Sequence, residues 1–111
     1  MSQTTIDINR YIEYVHRGMS KVYTKPIIAA LGLSGEVGEV CNVMKKMEAL
    51  INNCDHYKDT VSTEDLNMQI VDELGDVLWQ YIALVESLGL DFYDVVSFNI
   101  DKLQKRYGDE Y

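Results

Sequence analysis

The strongest constraint on this chain is a hydrophobic pattern that it carries twice. Leu33, Val37, Val40, Met44, Met47 and Ile51 recur in alternating steps of four and three, and Ile70, Leu74, Val77, Tyr81, Leu84 and Leu88 repeat those steps. That period belongs to the α-helix, where it gathers apolar side chains into one stripe. Two such stripes, separated by a polar stretch, predict two long helices packed face to face in an all-α fold.

Each stripe carries acids at matching places. The first segment contains Gly35-Glu36-Val37-Gly38-Glu39 and the second Glu73-Leu74-Gly75-Asp76. Carboxylates three residues apart on a helix share a face, with side-chain bases about 5–6 Å apart. All of Glu36, Glu39, Glu73 and Asp76 stand one residue before a stripe residue, so they are expected to flank the buried seam. Charges placed there must be paired or bind metal, because desolvating an unpaired charge is costly. Mg²⁺ is the natural occupant and Mn²⁺ the alternative, since oxygen ligands plus substrate phosphates suit it. Gly35, Gly38 and Gly75 each cost about 1 kcal/mol against alanine inside a helix; room for a ligand or close helix approach would offset that. A single pair of acids three apart is commonplace on a solvated helix face, and only the repetition in matching register makes it informative.

With 111 residues the chain reads as one domain spanning residues 1–111. A single proline and long periodic segments favour helices throughout. No apolar run near the length of a membrane span and no signal-type leader is expected, so the reading is a soluble, cytoplasmic protein without a membrane partner. The net charge of −8 argues against a nucleic-acid polymer as partner, since phosphate backbones require a basic surface. It is compatible with a small phosphate ligand, because bound cations invert the local sign. Cys41 and Cys54 belong to no metal or redox spacing and read as reduced thiols without special function.

In chain order, Ile8, Tyr11, Ile12, Val15 and Met19 form one face of a first helix, capped by Thr5 or Asp7. His16 reads as a surface or cap residue. Gly18, Ser20 and Lys25-Pro26 are expected to mark a break. Pro26 suits the first turn of a second helix that runs to about Leu50 and carries Lys45 and Lys46 beyond its acids. One of those lysines is expected to be solvated, and Lys46 is the candidate for reaching phosphate. Asn52 to Thr63 reads as a loop, in which His56 and Tyr57 have no supporting partners, with Ser62 or Thr63 capping the next helix. The third helix, from about Glu64 to Leu88, carries Trp79 and Tyr81, read as core aromatics, and ends at Gly89.

Asp91 caps a fourth helix that runs to about Arg106 and stops near Gly108. Its stripe is Phe92, Val96, Asn99, Leu103 and Tyr107, and an asparagine there needs a hydrogen-bonding partner if buried. Lys102 and Arg106 each precede a stripe residue, so Asn99, Lys102 and Arg106 share an edge suited to phosphate oxygens. The competing explanation is a basic last turn that complements the helix dipole. No phosphate-cradling glycine loop, nucleophile–histidine arrangement or zinc-ligand spacing is present. Metal, carboxylates and basic residues together suit in-line attack of water on a phosphoanhydride.

Three ordered runs carry a family resemblance: Leu31-Gly32-Leu33-Ser34-Gly35-Glu36-Val37-Gly38-Glu39-Val40, Val71-Asp72-Glu73-Leu74-Gly75-Asp76-Val77-Leu78-Trp79 and Asn99-Ile100-Asp101-Lys102-Leu103-Gln104-Lys105-Arg106-Tyr107. From about Tyr11 to Tyr107 the chain resembles MazG-type nucleoside triphosphate pyrophosphohydrolases. The resemblance implies an all-α bundle of four to five helices that assembles as a homodimer or homotetramer, with Mg²⁺ at the four acids. It implies cleavage of a nucleoside triphosphate between the α and β phosphates, giving monophosphate and pyrophosphate. By position, Glu36, Glu39, Glu73 and Asp76 would be catalytic metal ligands, and Asn99, Lys102 and Arg106 would contact the phosphates. One departure stands out: Gly35 occupies the place where many members begin a glutamate doublet, so a fifth carboxylate has no counterpart here. Related readings are a dUTP- or dCTP-preferring pyrophosphatase of the same superfamily and a non-catalytic, cation-binding helical bundle. The cousin family of phosphoribosyl-ATP pyrophosphohydrolases lacks support, because its Ser-Tyr-Thr segment is absent.

Overall fold

The structure, a computed structural model, describes residues 5–21, 25–52 and 62–108. Among them are four helices and no strand: α1 (Ile8–Lys21), α2 (Pro26–Ile51), α3 (Thr63–Ser87) and α4 (Phe92–Tyr107). Their ends follow local chemistry. The Asp7 carboxylate accepts from the backbone N–H groups of Asn9 (3.0 Å) and Arg10 (3.4 Å) and so caps α1. Ser62 accepts from Asp65 N–H at 3.1 Å to cap α3, and Asp91 from Tyr93 N–H at 2.7 Å to cap α4. Pro26 opens α2, where a missing N–H is harmless. Gly89 (φ 73°) and Gly108 (φ 76°) end the last two helices in left-handed backbone conformations.

Gly18 and Ser20 do not break α1, which continues to Lys21. Gly18 serves a close approach instead: a Cβ built there would stand 2.7 Å from the Trp79 ring of α3. Trp79 is thus a packing residue, as its sequence context suggests. The loop expected between Asn52 and Thr63, with Cys54, His56 and Tyr57, falls almost wholly outside the described residues.

α2 and α3 run antiparallel along most of their length. Met47, Leu50 and Ile51 share a small cavity of about 130 Å³ with Thr63 and Leu66 at one end, while Gly32 meets Gln80 near the other. Ala29 and Ala83 fall level with each other in this register, and both are fully buried. The buried line of α2 runs through Ala29, Leu33, Glu36, Val40, Val43 and Met47, and that of α3 through Leu66, Ile70, Glu73, Val77 and Leu84. This corrects the expected seam. Val37, Met44 and Leu74 are 45%, 51% and 51% exposed, and Glu36 and Glu73 occupy seam positions themselves. The observed lines keep the same alternating steps but take the three-residue step first from Leu33 and from Ile70, which puts Glu36 and Glu73 in the seam and Val37 and Leu74 one residue past it.

α1 packs against the C-terminal half of α3. Val15, Ile82 and Ala83 form a sealed core there, with Tyr11, Ile12, Met19, Trp79, Tyr81 and Phe92 packed around it. His16, read from sequence as a surface or cap residue, pairs across this junction with Glu86 (Nε2 to Oε2, 2.8 Å). Gly18 touches Trp79 while His16 touches Glu86, so the Tyr11–Gly18 edge of α1 faces the Asp76 end of α3.

α4 docks by its first turn alone. Phe92 joins the core, and the Tyr93 hydroxyl donates to the Asn9 side-chain oxygen. Beyond that turn no residue of α4 is buried, and Val96, Asn99 and Tyr107 of its stripe are exposed. The Cα radius of gyration is 17.6 Å, against about 13 Å for a compact domain of this length.

α2 also overturns one expectation. With 26 residues it is long and apolar enough to cross a membrane, although no such stretch was expected. Here it packs along α3 with Glu36 in its seam, and an acid in mid-helix is costly in a bilayer core.

Candidate metal centre

A carboxylate oxygen from each of Glu36, Glu73 and Asp76 lies within 4.8 Å of the others. α2 supplies the first, and the i, i+3 spacing on α3 supplies the other two. Glu36 and Glu73 are half-buried and Asp76 is exposed, so the cluster opens to one side of the helix pair. Glu39 stands outside this group of three, one turn along α2, yet its charge is felt at Glu73.

The electrostatics are those of uncompensated like charge. The Glu73 carboxyl is pushed above its ordinary value, first by burial and then by Glu36, Glu39, Asp76 and Asp72. Among the described residues, no cation is one of the groups that act on it. Tyr11, missed by sequence reasoning because it looks like any other stripe residue of α1, approaches from across α3. Its phenol is raised, first by burial and then by the Asp76 charge, and stays a neutral hydroxyl.

The donor set fits a hard divalent cation: oxygen atoms only, on rigid helices, close enough to share one ion, and raised in energy while unneutralised.

The predicted basic group is not brought to these acids. Asn99, Lys102 and Arg106 are exposed on α4, and among the described residues none pairs with Glu36, Glu39, Glu73 or Asp76. A concavity of about 460 Å³ opens along α4 beside Phe98, Asp101, Lys102 and Lys105 and contains none of the acids. Lys46 is half-buried on α2, ten residues or about 15 Å of helix from Glu36. Cys41 is a free, exposed thiol.

Residues 26–109 match the family profile of the MazG nucleotide pyrophosphohydrolase domain. The chain belongs to the MazG family. That match includes all four acids and the basic edge of α4 but excludes α1, which carries Tyr11. The chain is also similar to the Gene 37 protein of Mycobacterium phage L5, with 36% identity over 76 residues, covering 68% of this chain and 60% of that protein. No solved structure matches the chain significantly. The family profile is that of a nucleotide pyrophosphohydrolase domain, which makes a nucleotide the expected substrate class.

Proposed function

We propose that this MazG protein hydrolyses (deoxy)nucleoside triphosphates to the monophosphate and pyrophosphate, with Mg²⁺ or Mn²⁺ as cofactor. The observation that carries this reading is the meeting of Glu36, Glu73 and Asp76 within 4.8 Å. Those three would hold the cation, with Glu39 beside them. Bound there, the ion supplies the positive charge and Lewis acidity that a phosphoanhydride needs for attack by water. The chain's own part is to hold the acids on two packed helices, so that little reorganisation is required when the triphosphate arrives.

The phosphate-binding role of Asn99, Lys102 and Arg106 then requires a second copy. α4 leaves its own chain after one turn, and its basic edge is complementary to the acidic cluster it does not reach. The far side of the α2–α3 pair supports the same assembly. Val37, Met44, Val71, Leu74 and Leu78 are all more than 40% exposed there. Each sits one residue after a seam position, and in an antiparallel pair those residues gather on a common face. Gly38 and Gly75 sit beside Val37 and Leu74, with nothing within 4 Å of a would-be Cβ, so a second helix pair could approach closely. Burial of such a face is the usual basis of a homodimer, and two dimers would make the tetramer. With a nucleotide pool as substrate, the protein would work in the cytoplasm.

Pyrophosphate release from a panel of ribo- and deoxynucleoside triphosphates, including dUTP and dCTP, tests the activity. Monophosphate and pyrophosphate in equal amounts, abolished by chelator, is the expected result. Release of orthophosphate, or no release from any substrate with Mg²⁺ or Mn²⁺, overturns the proposal. Mixing the separately impaired Asp76→Asn and Arg106→Ala proteins tests the shared site, since hybrid dimers would regain one intact centre and a rate above that of either variant alone.

A further inference from the structure

Gln80 stands one helical turn beyond Asp76 on α3, at the level of Gly32, which stands one turn before Glu36 on α2. The two meet directly. A Cβ built on Gly32 would lie 2.6 Å from the Gln80 side-chain oxygen, 2.9 Å from its amide carbon and 3.1 Å from its amide nitrogen. The amide therefore occupies a slot that exists only because position 32 has no side chain. It is half-buried, and it makes no hydrogen bond to any described residue. A primary amide carries two donors and one carbonyl acceptor, and here they stay open to solvent and available to a ligand.

The seam shows which way a nucleotide would lie. On one side of the acids it is lined by the apolar side chains of Val40, Val43 and Ile70. On the other side come Gly32 and Gln80, and beyond them the buried Ala29 and Ala83. Tyr11 of α1 faces the same end of α3. A ligand whose phosphates are drawn to the cation-bearing acids meets the Gln80 amide one helical turn along the seam on this side.

Building on the pyrophosphohydrolase reading, we infer that Gln80, seated in the slot over Gly32, is a specificity-determining residue that reads the hydrogen-bonding edge of the nucleobase. The amide presents a donor and an acceptor side by side, which matches a base edge carrying the complementary pair. Such a site rejects a base whose groups leave the amide unpaired.

The test compares kcat/KM for the four deoxynucleoside triphosphates in wild type, Gln80→Leu and Gly32→Ala, alongside melting temperature and binding of the monophosphate products by calorimetry. Gln80→Leu keeps much of the side-chain bulk and removes the amide. Gly32→Ala keeps the amide and expels it from its slot; the obstructing atoms are the end of a flexible side chain, so the helices need not move. Both variants are expected to lose about ten- to a hundredfold in kcat/KM for the preferred base, with a smaller loss for the others, as one or two lost hydrogen bonds would give. Product binding should lose the same preference, while Gly32→Ala melts no lower than wild type because alanine is the better helix former. Unchanged base ratios in both variants overturn the inference, as does a wild type that treats all bases alike. If wild type cleaves no triphosphate, the pyrophosphohydrolase reading itself falls, an outcome distinct from cleavage with unmoved ratios.

Discussion

On one side of the α2–α3 pair stand Glu39, Asp72 and Asp76, with α1 packed against the far end. On the other stand Val37, Met44, Val71, Leu74 and Leu78, which no helix among the described residues covers. The two faces use the same helices, and neighbouring residues in sequence supply opposite sides. Val37 follows seam residue Glu36 and Leu74 follows Glu73, whereas Glu39 and Asp76 precede Val40 and Val77. A step of one residue turns an α-helix by about 100°, which sends the residues before and after the seam to different faces. Each face lacks something different. The acidic face lacks positive charge, which a cation can supply. The apolar face lacks covering area, which another copy of the chain can supply.

The largest expected effect comes from breaking the acidic face. Asp76→Asn or Glu39→Gln should cut turnover on the order of a hundredfold or more, since a metal's Lewis-acid contribution is worth several kcal/mol. Circular dichroism should remain helical, and melting temperature should hold or rise as like-charge repulsion falls. Near-normal turnover at saturating Mg²⁺ in either variant would remove that residue from the ligand set. Glu39 is the sharper case, because it stands outside the tight group of three.

Breaking the apolar face should act on mass before it acts on chemistry. Leu74→Glu places a charge at its centre, and light scattering at micromolar concentration should then report a monomer where wild type is a dimer or tetramer. Buried introduced charge costs several kcal/mol, enough to dissociate a micromolar dimer. A monomeric wild type would refute the assembly outright.

The basic edge of α4 links the two faces. Arg106→Ala should lower kcat/KM by about ten- to a hundredfold, the scale of one lost charge-assisted hydrogen bond, with melting temperature little changed. If α4 only complements its own dipole, melting temperature falls and kinetics per folded molecule do not. Reduced melting temperature with intact kinetics in both Lys102→Ala and Arg106→Ala ends the phosphate-binding role.

The smallest effect is on stability against pH. Glu73 is raised in the folded state, so between its ordinary value and its raised one the folded protein holds more protons than the unfolded chain. Stability is therefore lost as pH climbs through that window. In chelator, wild type should melt lower above the window than below it, and Glu73→Gln should flatten the difference. Mg²⁺ should also flatten it, by stabilising the ionised cluster. A chelated wild type whose melting temperature rises through the window would contradict this account.

Much of this was legible in the residues themselves. Helix limits were, because Asp7, Ser62, Asp91, Gly89 and Gly108 act on backbone within a few positions. The pairing of α2 with α3 was also legible, and so were the acids that meet between them, because both depend on spacing along single helices. The exact seam was not: stepping by four and three put Val37 and Leu74 inside, where the structure puts Glu36 and Glu73. Nor was the length of α1, since Gly18 looks like a helix breaker until Trp79 is seen to fill the space above it.

What the sequence by itself determined is therefore the all-α class, the helix ends and the identity of the acids, all set by interactions within about one turn of chain. Only the tertiary structure decided that Glu36, Glu73 and Asp76 close to 4.8 Å while Glu39 stands aside. It also decided that Tyr11 comes within the field of Asp76, that Gln80 rests in the gap at Gly32, and that Lys102 and Arg106 do not pair with their own acids. Those facts depend on how whole helices cross. Crossing is set by side chains far apart in sequence, such as His16 with Glu86 and Gly18 with Trp79, whose meeting no local pattern encodes.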